Sequence, residues 1–297
     1  MKFKNIHVII NPVAGKYEPI SAFLNKAFVN SCSKLQVYKA SQKNDVFSIA
    51  SRLANKNDLV AIYGGDGSIS EVASALYGKK ATMGIIPGGT ANVTSKDLGI
   101  PQDTEDAIAL LINELSKTIH MDMGIVNGAP FILRVNLGIM ADMIIAADPK
   151  MKDSFGQLAY GITAIESIWK TDPIQYRMII DGEEINETGV SLTVTNAGNI
   201  GIGDFSFLPG IEVTDGFLDV ILLNDTDFLS LMRVAGTTLF QTESDVLKHW
   251  KCKEISIYLE KPVKYICDDT SKETASLHIK VVPGALRVLV PDNNRNT

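Results

Sequence analysis

Three glycines, one carboxylate and one hydroxyl fall within five positions at Gly64-Gly65-Asp66-Gly67-Ser68. An apolar, strand-like run, Leu59-Val60-Ala61-Ile62-Tyr63, precedes them, and a helix-like run from Ile69 to Leu76 follows. Glycines at such a junction let the backbone come close to a phosphate. The free amides at a helix start point at it, and a carboxylate beside it handles a metal or a sugar. Nucleotide phosphate binding is therefore the chemistry this pattern suits best. The alternative is a tight strand-to-helix turn, in which glycine supplies positive φ and Asp66 bonds locally.

Two more loops have the same setting. Asn11-Pro12-Val13-Ala14-Gly15-Lys16 closes the first strand-like run, and Pro87-Gly88-Gly89-Thr90-Ala91-Asn92 closes the fourth. All three lie at the carboxyl ends of strands expected to be parallel, where open α/β sheets bind ligands. A distant pair, Asp268-Asp269, belongs to a β-rich second part, so two domains would face a shared cleft. There is no GxxxxGK[ST] segment, so phosphate neutralisation cannot rest on a Walker lysine, and Lys16 reads as a lone loop lysine. Ser68-x-x-Glu71 also fits a capping box, with Ser68 as N-cap and Glu71 bonding back.

The elements that must position these loops alternate. Strand signals at Ile6 to Ile10, Leu35 to Tyr38, Leu59 to Tyr63 and Met83 to Ile86 are interleaved with helical spacing at Ile20 to Val29, Val46 to Leu53, Ile69 to Leu76 and Ala107 to Leu115. Asp45 and Thr104 fall at the expected helix starts. Such βα alternation predicts a mainly parallel sheet covered on both faces. After about Asp122, strands dominate: Phe131 to Leu137, Gln175 to Ile180, Val190 to Asn196, Leu218 to Leu223, Glu254 to Leu259 and Leu277 to Val282. Asn127-Gly128 and Asp181-Gly182 are hairpin signals. Helical patterns persist at 158–168 and 228–240. The expected organisation is an α/β domain over 1–122 and a mostly antiparallel β-sandwich over 123–297, with the last strand, about 284–291, returning to the interdomain region.

The 297 residues suit about two domains of roughly 150 each. A net charge of -6 argues against a general affinity for nucleic acid. Cys32, Cys252 and Cys267 are far apart and form no CxxC pair, which fits a reducing cytosol rather than a disulfide framework or a zinc site. No apolar run approaches about 18 residues, so any membrane contact would be peripheral and the protein cytoplasmic.

Taken together, the motifs resemble the bacterial diacylglycerol kinase catalytic family, soluble lipid kinases related to sphingosine kinases. The resemblance covers nearly the whole chain. It rests on Asn11 to Gly15, on Gly64 to Ser68 with Glu71-Val72, and on Pro87 to Asn92 with Leu98-Gly99-Ile100-Pro101. It extends to Asp215-Gly216-Phe217-Leu218-Asp219-Val220 and to Pro283-Gly284-Ala285-Leu286-Arg287-Val288-Leu289-Val290-Pro291. It implies an NAD-kinase/phosphofructokinase-like first domain, ATP in the interdomain cleft, and Mg²⁺-dependent transfer of the γ-phosphoryl group to a lipid hydroxyl such as that of diacylglycerol. The lipid would be met peripherally, at a membrane surface; a homodimer is left open.

The resemblance also implies roles. Asn11 and Gly15 would line the nucleotide site; Gly64, Gly65, Gly67 and Ser68 would cradle phosphates; Asp66 would bind the nucleotide directly or through Mg²⁺. Gly89, Thr90 and Asn92 would contact phosphate or hold the loop, and Glu71 would join them. Ser41 would substitute for a nucleotide-contacting Thr that the family often carries where this chain has Ala40. Phosphoryl transfer needs a base for the attacking hydroxyl, and a cleft carboxylate suits a lipid alcohol. The family's base, the Asp of an Asp-Gly-Glu turn, falls on Asp268; successive residues face opposite sides, so one of Asp268 and Asp269 would face the cleft, Asp268 being favoured, and the alternative is two solvated turn carboxylates. Here the turn reads Asp268-Asp269-Thr270, lacking both Gly and Glu, and Val93 stands where many members have Asp. Asp215, with the carbonyls of Glu212 and Phe217, would hold a structural Mg²⁺; the alternative is an ordinary turn. Trp169, Phe205, Phe207 and Leu208 read as acyl-slot or core residues, and Lys248, Lys251 and Lys253 around Trp250 as a basic cluster. The competing functions are a NAD-kinase-like small-molecule kinase and a catalytically weak nucleotide- or lipid-binding protein.

Overall fold

The computed structural model describes residues 3–13, 18–42, 44–113, 116–139, 141, 172–198, 210–224 and 247–292. Four parallel strands open the chain: β1 (Asn5–Ile10), β2 (Lys34–Lys39), β3 (Leu59–Gly64) and β4 (Thr82–Pro87), ordered β4-β3-β1-β2. Every residue of β3 and β4 is buried, as continuous apolar runs demand when both sheet faces are covered. The edge strand β2 is mostly exposed and carries lysine at both ends.

The covering helices are α1 (Ile20–Phe28), α2 (Asp45–Leu53), α3 (Asp66–Leu76), α4 (Val93–Asp97) and α5 (Thr104–Ile112). α1 and α2 follow the apolar spacing closely, α3 and α5 each start three residues before the expected position, and α4 has no counterpart among the expected helices. α3 begins at Asp66, with Gly65 as N-cap, so Ser68 lies inside its first turn. The expected capping box is therefore absent: a residue already in the helix cannot be its N-cap. Asn44, in the left-handed region at φ 68°, caps α2, and Asp45 is its first residue. Asp103 caps α5, accepting the amides of Glu105 and Asp106.

The rest of the described chain is β5 (Ser116–Val126), β6 (Ala129–Phe131), β7 (Arg134–Gly138), β8 (Ile174–Ile180), β9 (Glu183–Gly189), β10 (Ser191–Thr195), β11 (Leu218–Leu223), β12 (Leu247–Cys252), β13 (Glu254–Cys267) and β14 (Thr270–Pro291). Among these, β12-β11-β10-β7-β13-β14 run in antiparallel order. Both hairpin signals hold, with positive φ at Asn127 and Gly128 and at Asp181 and Gly182. The predicted strand 131–137 is interrupted at Ile132-Leu133, whose amides turn instead to a side chain described below.

β14 joins the two parts. Its first half pairs with β13; after an irregularity between Val282 and Leu286 it continues along β5 and lies parallel to β4. Among the described residues, fourteen strands thus form one sheet, and residue 122 falls inside β5. There are two large apolar clusters among the described residues, one under the parallel strands and helices and one within the antiparallel part, and a small third of Ile139, Val190 and Leu223. The fold is a mixed sheet, parallel in the N-terminal part and antiparallel in a sandwich-like C-terminal part.

Candidate active site

The loops after β1, β3 and β4 meet at the N-terminus of α3. The backbone amide of Asn11 bonds to Tyr63 O at 3.1 Å, and its side-chain amide donates to Ser68 Oγ at 2.8 Å. Gly88 N donates to Gly64 O at 2.9 Å. A Cβ on Gly89 would lie 2.6 Å from Gly65 Cα, and one on Gly64 would lie 2.7 Å from Ser68 Cβ. None of these loop glycines has positive φ. Close backbone approach, not left-handed geometry, is what requires glycine here. The resulting surface is bare backbone at the start of an 11-residue helix, where first-turn amides lack intrahelical acceptors and the dipole favours an anion.

Asp66 turns away from that surface. Its carboxylate accepts Val93 N and Thr94 N, each at 3.1 Å, and Thr94 Oγ1 at 3.2 Å, which caps α4. Asn92 sits at φ 52° and accepts Gly89 N at 2.9 Å, closing the second loop; Thr90 is exposed at its tip. Glu71 reaches α2 and accepts Phe47 N at 3.2 Å. Ser41 donates through its amide and hydroxyl to Asp45 Oδ2, at 2.7 and 2.9 Å. Asn11, Pro12, Ser41, Asn44 and Glu71 line a hollow of about 230 Å³ beside the glycine loop. Gly15 and Lys16 lie outside the described residues, as do Trp169, Phe205, Phe207 and Leu208.

Across a cleft of about 490 Å³ stands the β13–β14 turn, Asp268-Asp269. Phe47, Ser70, Glu71, Pro130, Asp269 and Lys272 are among its walls. Asp268 has φ 52°, and Asp269 does not share the left-handed region. The loss of the family's glycine at 269 therefore introduces no backbone strain; the residue that must tolerate positive φ is Asp268. Its Oδ1 accepts Leu133 N at 2.9 Å and Arg134 N at 3.1 Å. Its Oδ2 accepts Ser70 Oγ at 2.6 Å and Ile132 N at 3.1 Å. These bonds break the strand between β6 and β7 and tie the second part to α3. Burial pushes the Asp268 carboxyl above its ordinary value, against the opposing pull of Ser70 and the three amides.

Two site residues were not anticipated. Arg134 is 6% exposed, and burial lowers its guanidinium pKa against the raising effects of Asp97, Asp268 and Asp66. Asp97, Asp268 and Asp66 are the carboxylates whose charges favour its protonated form. A charged residue inside the apolar run 131–137 was the available signal. Asp122, 2% exposed, accepts Gly216 N at 2.6 Å and Gly284 N at 2.7 Å, fastening two turns whose glycines have positive φ.

The Asp215 turn is already partnered. Oδ1 accepts Phe217 N at 3.0 Å, and Oδ2 receives the Lys251 ammonium at 2.6 Å, a bond that raises the Lys251 pKa. Glu212 is exposed. An ammonium holding the carboxylate does not fit a divalent cation bound to the same oxygen. The expected basic cluster is partnered too: Lys248 pairs with Glu187 at 2.7 Å, and Lys253 lies over the Phe217 ring at 5.4 Å. Among the described residues, no group of three or more His, Cys, Asp or Glu side chains forms a metal cage, and no helix is long and apolar enough to cross a membrane. Mg²⁺ commonly binds through one or two carboxylates plus substrate phosphates, so an ion arriving on a nucleotide needs no such cage.

Comparison with known proteins follows the same division. Residues 5–124 match the diacylglycerol kinase catalytic domain, and residues 134–290 match the YegS C-terminal NAD kinase beta sandwich-like domain. The diacylglycerol kinase of Bacillus subtilis is 28% identical, over 80% of this chain and 79% of that one. The diacylglycerol kinase of Mycobacterium tuberculosis is 26% identical, over 82% and 80%. A crystal structure from Bacillus anthracis, 26% identical, covers 99% of this chain and 97% of its own at a TM-score of 0.83. A second from that organism, a diacylglycerol kinase at 24% identity, shares the fold over 99% of both chains at a TM-score of 0.77.

Proposed function

Because this chain belongs to the diacylglycerol kinase catalytic family and is a lipid kinase of that kind, we propose that it transfers the γ-phosphoryl group of Mg²⁺-bound ATP to a lipid hydroxyl, diacylglycerol being the leading acceptor. The observation that carries the reading is the bare-backbone start of α3, faced across one cleft by a turn bearing two carboxylates. Phosphoryl transfer is mostly positioning and charge stabilisation, with a base for the attacking oxygen. Gly64, Gly65, Gly67 and Ser68 supply amides for the phosphates, and the α3 dipole adds about 0.3–1 kcal/mol toward an anion. Asn11 braces that start through Ser68, Asp66 and Asn92 hold the Gly89–Thr90 loop against it, and Glu71 with Ser41 borders the adjoining hollow. The acceptor approaches from a membrane surface, with the protein bound peripherally.

Transfer of labelled γ-phosphate from Mg²⁺-bound ATP to lipids in mixed micelles tests this. One labelled lipid, with none formed when Mg²⁺ is chelated, is the expected result. ATP binding with no labelled lipid across diacylglycerols, sphingoid bases and other hydroxyl lipids would sink it.

A further inference from the structure

α2 carries a large apolar side chain that its own packing does not use. Val46, Ile49, Ala50 and Leu53 form its buried stripe, at the spacing of one helix face. Phe47 lies off that stripe and is 43% exposed. A lone exposed phenylalanine needs no explanation in itself; its surroundings supply one. Phe47 walls the cleft of about 490 Å³ together with Gly67 and Ser70 from the start of α3. Its backbone amide, in the first turn of α2, donates to Glu71 Oε2 at 3.2 Å, which ties this turn to α3.

Glu71 is four residues past Gly67 in α3, about 6 Å of helix rise. Phe47 is thus held about one helical turn along α3 from the glycines that would receive the phosphates, a separation on the scale of a ribose. The rest of the lining bears on what rests against the ring. Asn44, Ser48, Ser70 and Ser74 are polar walls of the same cleft, and Ala129 and Pro130 add only a small apolar surface. An acyl chain needs a continuous apolar tract. A nucleobase needs one flat apolar surface for its face and polar groups at its edges.

On the nucleotide-binding reading above, we propose that Phe47 is the platform on which the adenine ring of the nucleotide stacks. Glu71 fixes the platform from α3. The nucleotide lies along α3, with its base on Phe47 and its phosphates over the first turn. Phe47 acts in binding and not in phosphoryl transfer. Neither the glycine motifs nor the turn carboxylates identify it, because it sits one residue off the helix stripe that periodicity singles out.

Calorimetric titration tests this with two probes, Mg²⁺-bound ATP and Mg²⁺-bound tripolyphosphate, which carries the phosphates without a base. The proteins are wild type, Phe47→Ala and Phe47→Trp. Phe47→Ala is expected to weaken ATP binding by about 5–100-fold. Its tripolyphosphate affinity and Tm stay at wild-type values, since the side chain is exposed. Phe47→Trp keeps the ATP affinity, and its added indole fluorescence changes with ATP but not with tripolyphosphate. Full ATP affinity in Phe47→Ala overturns the proposal, and a raised KM for lipid in that case would make Phe47 an acyl contact. An equal loss for both probes also overturns it, because the change would then act through the phosphate site. A wild type that binds no ATP overturns this proposal and the nucleotide reading together. ATP binding with the expected Phe47 dependence, but no labelled lipid, supports the platform while failing the lipid-kinase reading.

Discussion

Lys251 and Asp215 form an ion pair at 2.6 Å, with the carboxylate 19% and the ammonium 40% exposed. Partial exposure makes the pair modest in stability, about 0–1 kcal/mol. Its larger effect is exclusion: a tethered ammonium competes with any divalent ion for Asp215 Oδ2. We expect Tm without nucleotide to be insensitive to millimolar Mg²⁺. Lys251→Met, which keeps the stem and removes the charge, should make Tm rise with Mg²⁺ by about 2–4 °C for each kcal/mol of binding. Thermal melts with and without Mg²⁺ check this, and an equal rise in wild type would show that the ion binds despite the lysine. The chain announces an Asp-Gly turn at 215–216; that Lys251 reaches it follows only from the pairing of β11 with β12, which sets Asp219 opposite Lys251.

Among the elements, the contact between the loops after β3 and β4 sets the candidate phosphate site. Gly65 and Gly89 meet backbone to backbone, with no volume for a side chain on the facing side of Gly89. Gly89→Ala should separate the loops, costing about 1–3 kcal/mol of stability by overpacking. It should also weaken nucleotide binding by roughly tenfold or more, the equivalent of 1.4 kcal/mol. Calorimetric titration with Mg²⁺-bound ATP and urea unfolding read the two effects; full nucleotide affinity would mean the loops need not touch. The glycines were visible in the sequence, but their reason was not. The alternative reading, a need for positive φ, fails at the described loop glycines; at Gly65 and Gly89 the constraint comes from the facing loop and not from the residue's own backbone. Helix starts shifted for a similar reason. Asp66 reads as a phosphate-loop carboxylate in isolation, yet the adjacent α4, absent from the sequence reading, offers it three donors.

At the scale of the whole molecule, β14 is the strand that matters. It hydrogen-bonds to β13 in the antiparallel part and to β4 in the parallel part, with β5 beside it through both. Asp122 pins the midpoint through Gly284, and Asp268 adds a second tie through Ser70 of α3. We therefore expect the two parts to unfold together. Far-UV circular dichroism and tryptophan fluorescence should give coincident urea transitions; two separated transitions would show that the shared strand does not couple them.

By itself the sequence determined what depends on local periodicity and turn chemistry: the βα alternation, the antiparallel second part, both hairpins and the three loops at strand ends. Those features are encoded within windows of a few residues, where alternation, glycine and asparagine act directly on the backbone. It also exposed the family's motifs, since these are contiguous. Only the tertiary structure decided how each carboxylate is occupied. Asp66, Asp122, Asp215, Asp268 and Asp269 are alike in chemistry. They differ because amides and cations from distant elements, some more than a hundred positions away, reach four of them and leave Asp269 open to the cleft. A carboxylate's acceptor sites are few and are filled by whatever the fold brings within about 3 Å, and that allocation is a property of the assembled sheet.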